Sequence, residues 1–435
     1  GGVDGGDEGQ DLGVDPHVAH ELGPLLFWML ADHVVEEIDY YAAKFVNNAL
    51  VPFKVPDTFK PVVTWLMNRN SIASSRISSL PNILGQWRKP ILKMVDSIPD
   101  IFKGKPPTVA NRSTIIDVNE LLNYEVRGLM SERILRNPNH PESTDWTNRL
   151  LSEAYGQPVC DTNDMTCFID MCYTTVNKKH AFVINYWTIF GFMLDDYLDQ
   201  IVMDDAGKQQ ICEWQQKYRT GKSDGKLGLD KMLVRTLEMN RQYLSPDQYD
   251  RHVREMVEWI GTYLTVNQTK YNADHQMLTY EQFWIQRATD SVAGCVYIFS
   301  ELSVGLDAIE HGLTTDPIWI SFNTAAAKQS ILVNEVYSVK SEVPKGQAKY
   351  NYQYLIMWHE GYSAQEAVDH IVSEIHFQWE LVLDFGQQLK EYGIPVLSAY
   401  VDEVVHEVKG NHFWSTICRR YSTDPKHSHY INTGE

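Results

Sequence analysis

The stretch Phe190-Gly191-Phe192-Met193-Leu194-Asp195-Asp196-Tyr197-Leu198-Asp199 constrains this chain more than any other. A mostly apolar run from Ala181 to Leu194 ends abruptly in three aspartates. Only Gly191 weakens its helical pattern, and a helix tolerates one glycine. The run therefore predicts a buried helix that delivers carboxylates to its C-terminal end. At 3.6 residues per turn, Asp195 and Asp199 share a face, with Asp196 beside them. Negative charge sits badly at a helix C-terminus, and crowded carboxylates repel. A solvated acidic helix end tolerates this arrangement, whereas a bound cation relieves it. Carboxylate and water oxygens suit Mg²⁺, which is usually shared with a substrate phosphate.

The remaining sequence narrows the alternatives. The 435 residues, 43% of them apolar, suit one large domain or two. The formal net charge of −19 argues against nucleic acid or an anionic membrane as the main partner. No apolar run reaches the ~20 residues of a membrane span. Cys160, Cys167, Cys172, Cys212, Cys295 and Cys418 form no Cys-x-x-Cys pair and have no histidine cluster beside them. They read as reduced core thiols in a cytosolic, hence cytoplasmic, protein. Strand–helix alternation, a glycine-rich phosphate loop after a strand, and internal repeats are all missing from the sequence, so the expected fold is an all-α helical bundle.

Residues 1–16 are rich in Gly and Asp and read as a disordered tail. Residues 17–110 read as a helical N-terminal region. Within it, Ile83 to Phe102 mixes apolar residues with Arg88, Lys89 and Lys93, which suits a helix packed on the main domain or one lying on a membrane surface. Lys105-Pro106-Pro107-Thr108 reads as a linker. The main domain is expected over 111–425. A flexible tail follows at 426–435, with His427 and His429 in it.

Three further patterns lie in the main domain. Asn334, Ser338 and Glu342 fall at i, i+4 and i+8, so a carboxamide, a hydroxyl and a carboxylate form one helical stripe. That stripe suits a second Mg²⁺ site or an exposed polar face. Glu335 lies off it and is expected to matter much less. Arg287 is an isolated cation in a largely apolar helix, suited to pairing with an acid or to binding phosphate through its planar fork. Arg420 and Tyr421 supply a cation and a hydroxyl near the end of the chain.

Taken in order, these elements resemble the class I terpene synthases of the microbial type, a group that also includes coral enzymes. The intervals from Asp195 through Arg287 and Asn334 to Arg420 are 92, 47 and 86 residues, similar to those of the family. The resemblance covers about residues 115–425. It implies a class I terpenoid synthase α-helical bundle, with the N-terminal region as an addition to it. It also implies three Mg²⁺ ions held by Asp195, Asp196, Asp199, Asn334, Ser338 and Glu342.

By the same resemblance, Arg287 senses the diphosphate, and Asp290 links it to a helix break near Ser291. Arg420 and Tyr421 contact the diphosphate too. So does Lys340, although it stands one position before the motif's usual lysine. The implied substrate is a linear prenyl diphosphate, farnesyl or geranylgeranyl, which is ionised and cyclised to a sesqui- or diterpene with release of diphosphate. Aromatic faces would steer the cation. Phe192 lies one turn before Asp195, and Thr188 and Trp187 lie two turns before it. Phe190, Trp284, Trp319 and Trp414 are further candidates, although core packing is the better explanation for any one of them. Two other readings remain: a prenyl chain-elongating synthase and an inactive helical interaction module. A monomer and a homodimer are both compatible with the sequence.

Overall fold

The apolar run that ends in the aspartates is a single helix in the computed structural model, spanning Lys178–Leu198. The structure describes residues 116–129, 134, 136–225, 228–271 and 277–421. The expected tail at 1–16, the helical region at 17–110 with its Ile83–Phe102 segment and linker, and the terminal tail with His427 and His429 lie outside them.

Twelve α-helices and four short 3-10 turns form the described residues, with no strand among them. In chain order the helices are α1 (His140–Tyr155), α2 (Met165–Cys172), α3 (Lys178–Leu198), α4 (Asp205–Thr220), α5 (Gly228–Tyr243) and α6 (Pro246–Tyr271). They continue as α7 (Tyr280–Asp290), α8 (Ala293–Val304), α9 (Pro317–Glu342), α10 (Tyr352–Glu360), α11 (Ala364–Lys390) and α12 (Pro395–Ile417).

Local chemistry sets several of these boundaries. Asn177 starts α3 by accepting the His180 N–H at 2.9 Å. Thr279 and Gln282 form a reciprocal capping box at the start of α7. At α9, Pro317 occupies a position that needs no N–H donor, and Asp316 accepts from the amides of Ile318 and Trp319 at 2.8 and 2.9 Å.

Helix α3 packs against α1, α2, α5 and α8; α6 lies along α4 and meets α7 and α8. Helix α9 runs beside α11 and α12. One apolar cluster surrounds α3, with Ile184, Phe190, Leu194, Trp214 and Ile260 in it. A second joins α7, α9, α10 and α11 through Phe283, Val333, Leu355 and Ile371. Met171 and Trp414 belong to a small third cluster that ties α2 to α12. Cys167, Cys172, Cys295 and Cys418 are buried thiols as expected, but Cys160 and Cys212 are exposed, so the core reading fails for those two. Among the described residues, no helix is long and apolar enough to cross a membrane.

At Gly410, α12 passes close against the backbone of α2. A Cβ there would stand 2.3 Å from the backbone oxygen of Met171, so only glycine permits this approach. Backbone cannot swing aside as a flexible side chain can. Gly410→Ala is expected to lower unfolding stability by about 1–3 kcal/mol, as overpacking does. Urea unfolding checks this: an unchanged midpoint would mean that the two helices separate without penalty.

Candidate active site

A cavity of ≈ 310 Å³ lies between the two larger clusters, within the ~300–1,000 Å³ usual for ligand pockets. It is lined by α2, α3, α6, α7, α8, α9 and α12 and by the segment after α12. The helices present their residues in a common order. On α3, Trp187, Thr188 and Phe192 precede Asp195, Asp196 and Asp199. On α6, Met256, Trp259, Tyr263 and Val266 precede Lys270, about 21 Å along the axis from Met256 at 1.5 Å per residue. On α9, Ala327 and Ile331 precede Asn334, Ser338 and Glu342. The cavity thus has an apolar, aromatic end and a charged end.

At the charged end, the side chains pair with one another. Arg420 grips both oxygens of Asp196 at 2.9 and 3.2 Å and stands 3.6 Å from Asp195. The Tyr263 hydroxyl donates to Asp195. Lys270 meets Asp199 at 2.5 Å. Arg287 bridges α7 to α9, donating to Asp290 at 2.5 Å, to Glu335 at 2.7 Å and to the Asn334 carboxamide oxygen at 2.8 Å. The Asn334 amide nitrogen donates to the Tyr421 hydroxyl at 2.7 Å, and the Ser338 hydroxyl donates to Glu342 at 2.5 Å.

Burial works against the charge on Arg287, but Asp290 and Glu335 outweigh it and hold the guanidinium firmly charged. Burial likewise disfavours the Lys270 ammonium, and Asp199 and Asp195 reverse the effect. Enclosure by protein and the neighbouring Asp199 raise Asp195, while Arg420 and Lys270 pull it back. The Asp195 side chain keeps 39% of its area open to the cavity, so water there moderates that rise. Six carboxylates at this end, Asp195, Asp196, Asp199, Asp290, Glu335 and Glu342, face only four cations: Lys270, Arg287, Lys345 and Arg420. An anionic ligand would enter an already acidic space, so it needs added cations.

Helix α7 ends at Asp290, next to the Ser291 break that the resemblance implies. Ser291 caps it, and Val292 takes the left-handed conformation at φ 59° before α8 begins at Ala293. A β-branched residue there is strained by about 1–3 kcal/mol, and such strain tends to cluster at functional sites. Ser291, Val292 and Ala293 all line the cavity.

Every expected site residue reaches the cavity except Lys340. That lysine is exposed on the other side of α9, with its ammonium 5.0 Å from the Tyr124 ring centroid, so the diphosphate-contact reading is corrected. One residue off the motif's usual position turns a helical side chain by about 100°, which is enough to lose the cavity. Lys345, in the turn after α9, lines the cavity instead. Trp414 is also in the wall, but Phe190, Trp284 and Trp319 are buried in the core and do not line it. Glu335, expected to matter little, is the buried partner of Arg287 and also accepts the Tyr352 N–H at 2.7 Å. Lys270 and Tyr263 escaped the sequence reading. The signal was present: Met256, Trp259, Tyr263, Val266 and Lys270 follow the alternating three- and four-residue steps of one helix face, and that face ends in a cation.

Residues 186–380 match the family described as "Terpene synthase family 2, C-terminal metal binding". Terpene synthase 5 of Dictyostelium purpureum is 24% identical over 254 residues, which span 53% of this chain and 69% of that protein. Terpene synthase 1 of Cavenderia fasciculata is 20% identical over 220 residues, 49% of this chain and 64% of that protein. Among solved structures, the linalool/nerolidol synthase of Streptomyces clavuligerus superposes with a TM-score of 0.54 at 16% identity, covering 67% of this chain and 99% of that one. The 2-methylisoborneol synthase of Streptomyces coelicolor gives a TM-score of 0.57 at 15% identity, covering 69% and 99%. Residues 186–380 thus match a terpene synthase metal-binding family, both relatives are terpene synthases, and the described helices share the α-helical fold of the solved synthases.

Proposed function

We propose that this enzyme ionises a linear prenyl diphosphate of farnesyl or geranylgeranyl length with the help of Mg²⁺, and cyclises the resulting carbocation to a sesqui- or diterpene. The observation that carries the reading is the division of one cavity into a charged end and an aromatic end. A diphosphate needs the first, and a polyene chain needs the second. The catalytic domain in this reading is residues 111–425. The Streptomyces coelicolor neighbour was crystallised with Mg²⁺ and 2-fluoroneryl diphosphate, which supports the pairing of metal and substrate.

The donors at the charged end fit Mg²⁺. Asp195, Asp196, Asp199, Asn334, Ser338 and Glu342 offer carboxylate, carboxamide and hydroxyl oxygens around one space. Among the described residues, no three His, Cys, Asp or Glu side chains already converge as a ligand cage. Such looseness suits an ion that takes one or two carboxylates and completes its shell with water and substrate phosphate. The reading assigns three ions to these residues. Bound Mg²⁺ would neutralise the charge that develops on diphosphate oxygens as the C–O bond breaks.

The chain's own residues do the rest. Arg287, Arg420 and Tyr421 bind and orient the diphosphate, and their donors receive charge as it leaves. Asp290 and Glu335 aim the Arg287 fork. Phe192, with the Arg420 guanidinium 4.9 Å from its ring centroid, stands where the charged end gives way to the aromatic one. Its face, with Trp187 and Trp414, shields the cation from water and stabilises it. The Asn334 triad, in place of a second aspartate-rich motif, favours cyclisation over chain elongation.

Incubation with prenyl diphosphates of ten, fifteen, twenty and twenty-five carbons, read by gas chromatography–mass spectrometry, tests the reading. A cyclic product is expected from the fifteen- or twenty-carbon substrate, and only with Mg²⁺ present. Full turnover in excess chelator, or a longer linear diphosphate as product, would contradict it. Arg287→Lys keeps the charge but loses the fork, so turnover is expected to fall about 100-fold, as when a preorganised donor is removed. Glu335→Gln still accepts one hydrogen bond and is expected to fall roughly tenfold. Steady-state diphosphate release measures both, and wild-type turnover in Arg287→Lys would make that residue a structural ion pair.

A further inference from the structure

At the apolar end, α12 buries two carboxyl groups that ionisation does not use. Glu403 and Glu407 lie one turn apart on the same face and are 1% and 4% exposed. Glu407 lines the cavity beside Tyr173 and Tyr297. Its Oε1 accepts from the Ser300 hydroxyl on α8, while its Oε2 has no hydrogen-bond partner in the protein. Glu403 accepts through Oε2 from the Thr175 hydroxyl, and Thr175 is exposed at the surface. A file of polar groups therefore runs from solvent at Thr175, through Glu403, to Glu407 in the cavity wall.

The surroundings favour the neutral form of these groups. The ionisable groups facing Glu407 are Cys172 and Tyr173 at the end of α2, Tyr297 on α8, and Tyr400 and Glu403 on its own helix. Among the described residues, neither glutamate has a cation partner. Burial, with Glu403 adding to it, pushes Glu407 well above the usual carboxylate range against the pull of Ser300. Burial pushes Glu403 up to about 7. An uncharged carboxylic acid in the wall of an apolar cavity holds a proton that it can give.

We propose that Glu407 is the cavity's proton donor, protonating a carbon–carbon double bond of a neutral polyene formed part-way through cyclisation, and that Glu403 exchanges its proton with solvent at Thr175. This rests on the cyclase reading above. The first carbocation loses a proton to the departed diphosphate, which leaves a neutral polyene. The π electrons of one double bond then take the Glu407 proton. A C–H bond forms, the O–H pair stays on Glu407 as carboxylate, and a new carbocation results. The carboxylate finally removes a proton from carbon beside the last cation. Those C–H electrons close a double bond, and Glu407 is an acid again.

Turnover in D₂O tests this, with product mass and diphosphate release read together. The wild-type product is expected to carry one carbon-bound deuterium. Glu407→Gln, nearly the same shape without the acidic proton, is expected to lose that label and to release the unprotonated polyene. After brief mixing into D₂O, Glu403→Gln is expected to incorporate less label than wild type. Unlabelled wild-type product alongside normal diphosphate release would overturn the proposal, as would an unchanged labelled product from Glu407→Gln. Equal labelling by Glu403→Gln at short times would overturn the Glu403 route. A wild-type enzyme that releases no diphosphate would instead defeat the cyclase reading itself.

Discussion

The pairing of carboxylates with cations at one end of the cavity is the interaction on which the site depends. Arg420 joins the segment after α12 to α3, Lys270 joins α6 to α3, and Arg287 joins α7 to α9. These are the same groups that a diphosphate and its metal would use. Breaking a buried pair by removing one partner costs about 3–5 kcal/mol, because it strands a charge away from water. A diphosphate alone would have to draw Arg287 and Arg420 off their carboxylates and leave those carboxylates unpaired. Metal alone would strand the cations. Arriving together, the two replace every broken pair with a new one, so the arrangement selects for joint binding.

The fold makes this pairing possible by running several helices so that their apolar faces come before their charged ends. Packing then places the charges together without further adjustment. The strained Val292 and the close passage of α12 over α2 at Gly410 serve the same geometry. One lets a helix break beside the cavity, and the other lets α12 bring Glu407, Asn411 and Trp414 into its wall.

The helical class and the main site motifs were legible because they rest on local spacing. An apolar run ending in aspartates, and an Asn–Ser–Glu stripe at four-residue steps, each fix a face without knowledge of the fold. What could not be read depends on partners distant in the chain. Glu335 lies off the stripe by one residue, and only the position of α7 makes it the partner of Arg287, 48 residues away. Lys270 carries no motif, and its meaning comes from Asp199, 71 residues earlier. Lys340 failed for the opposite reason: a resemblance in type was stretched across a one-residue shift that a helix does not forgive. The aromatic candidates divided in the same way. Phe192 was tied in phase to Asp195 and reached the cavity, whereas Trp284 and Trp319 had no such anchor and belong to the core.

Calorimetric titration of the enzyme with inorganic diphosphate, with and without Mg²⁺, tests the mutual neutralisation most directly. Binding energies of two ligands coupled through one site must be reciprocal. The account predicts that diphosphate binds at least tenfold more tightly when Mg²⁺ is present, and that Mg²⁺ binds more tightly by the same factor when diphosphate is present. Diphosphate affinity that is indifferent to the metal would mean that the cations are already available, and would contradict the account.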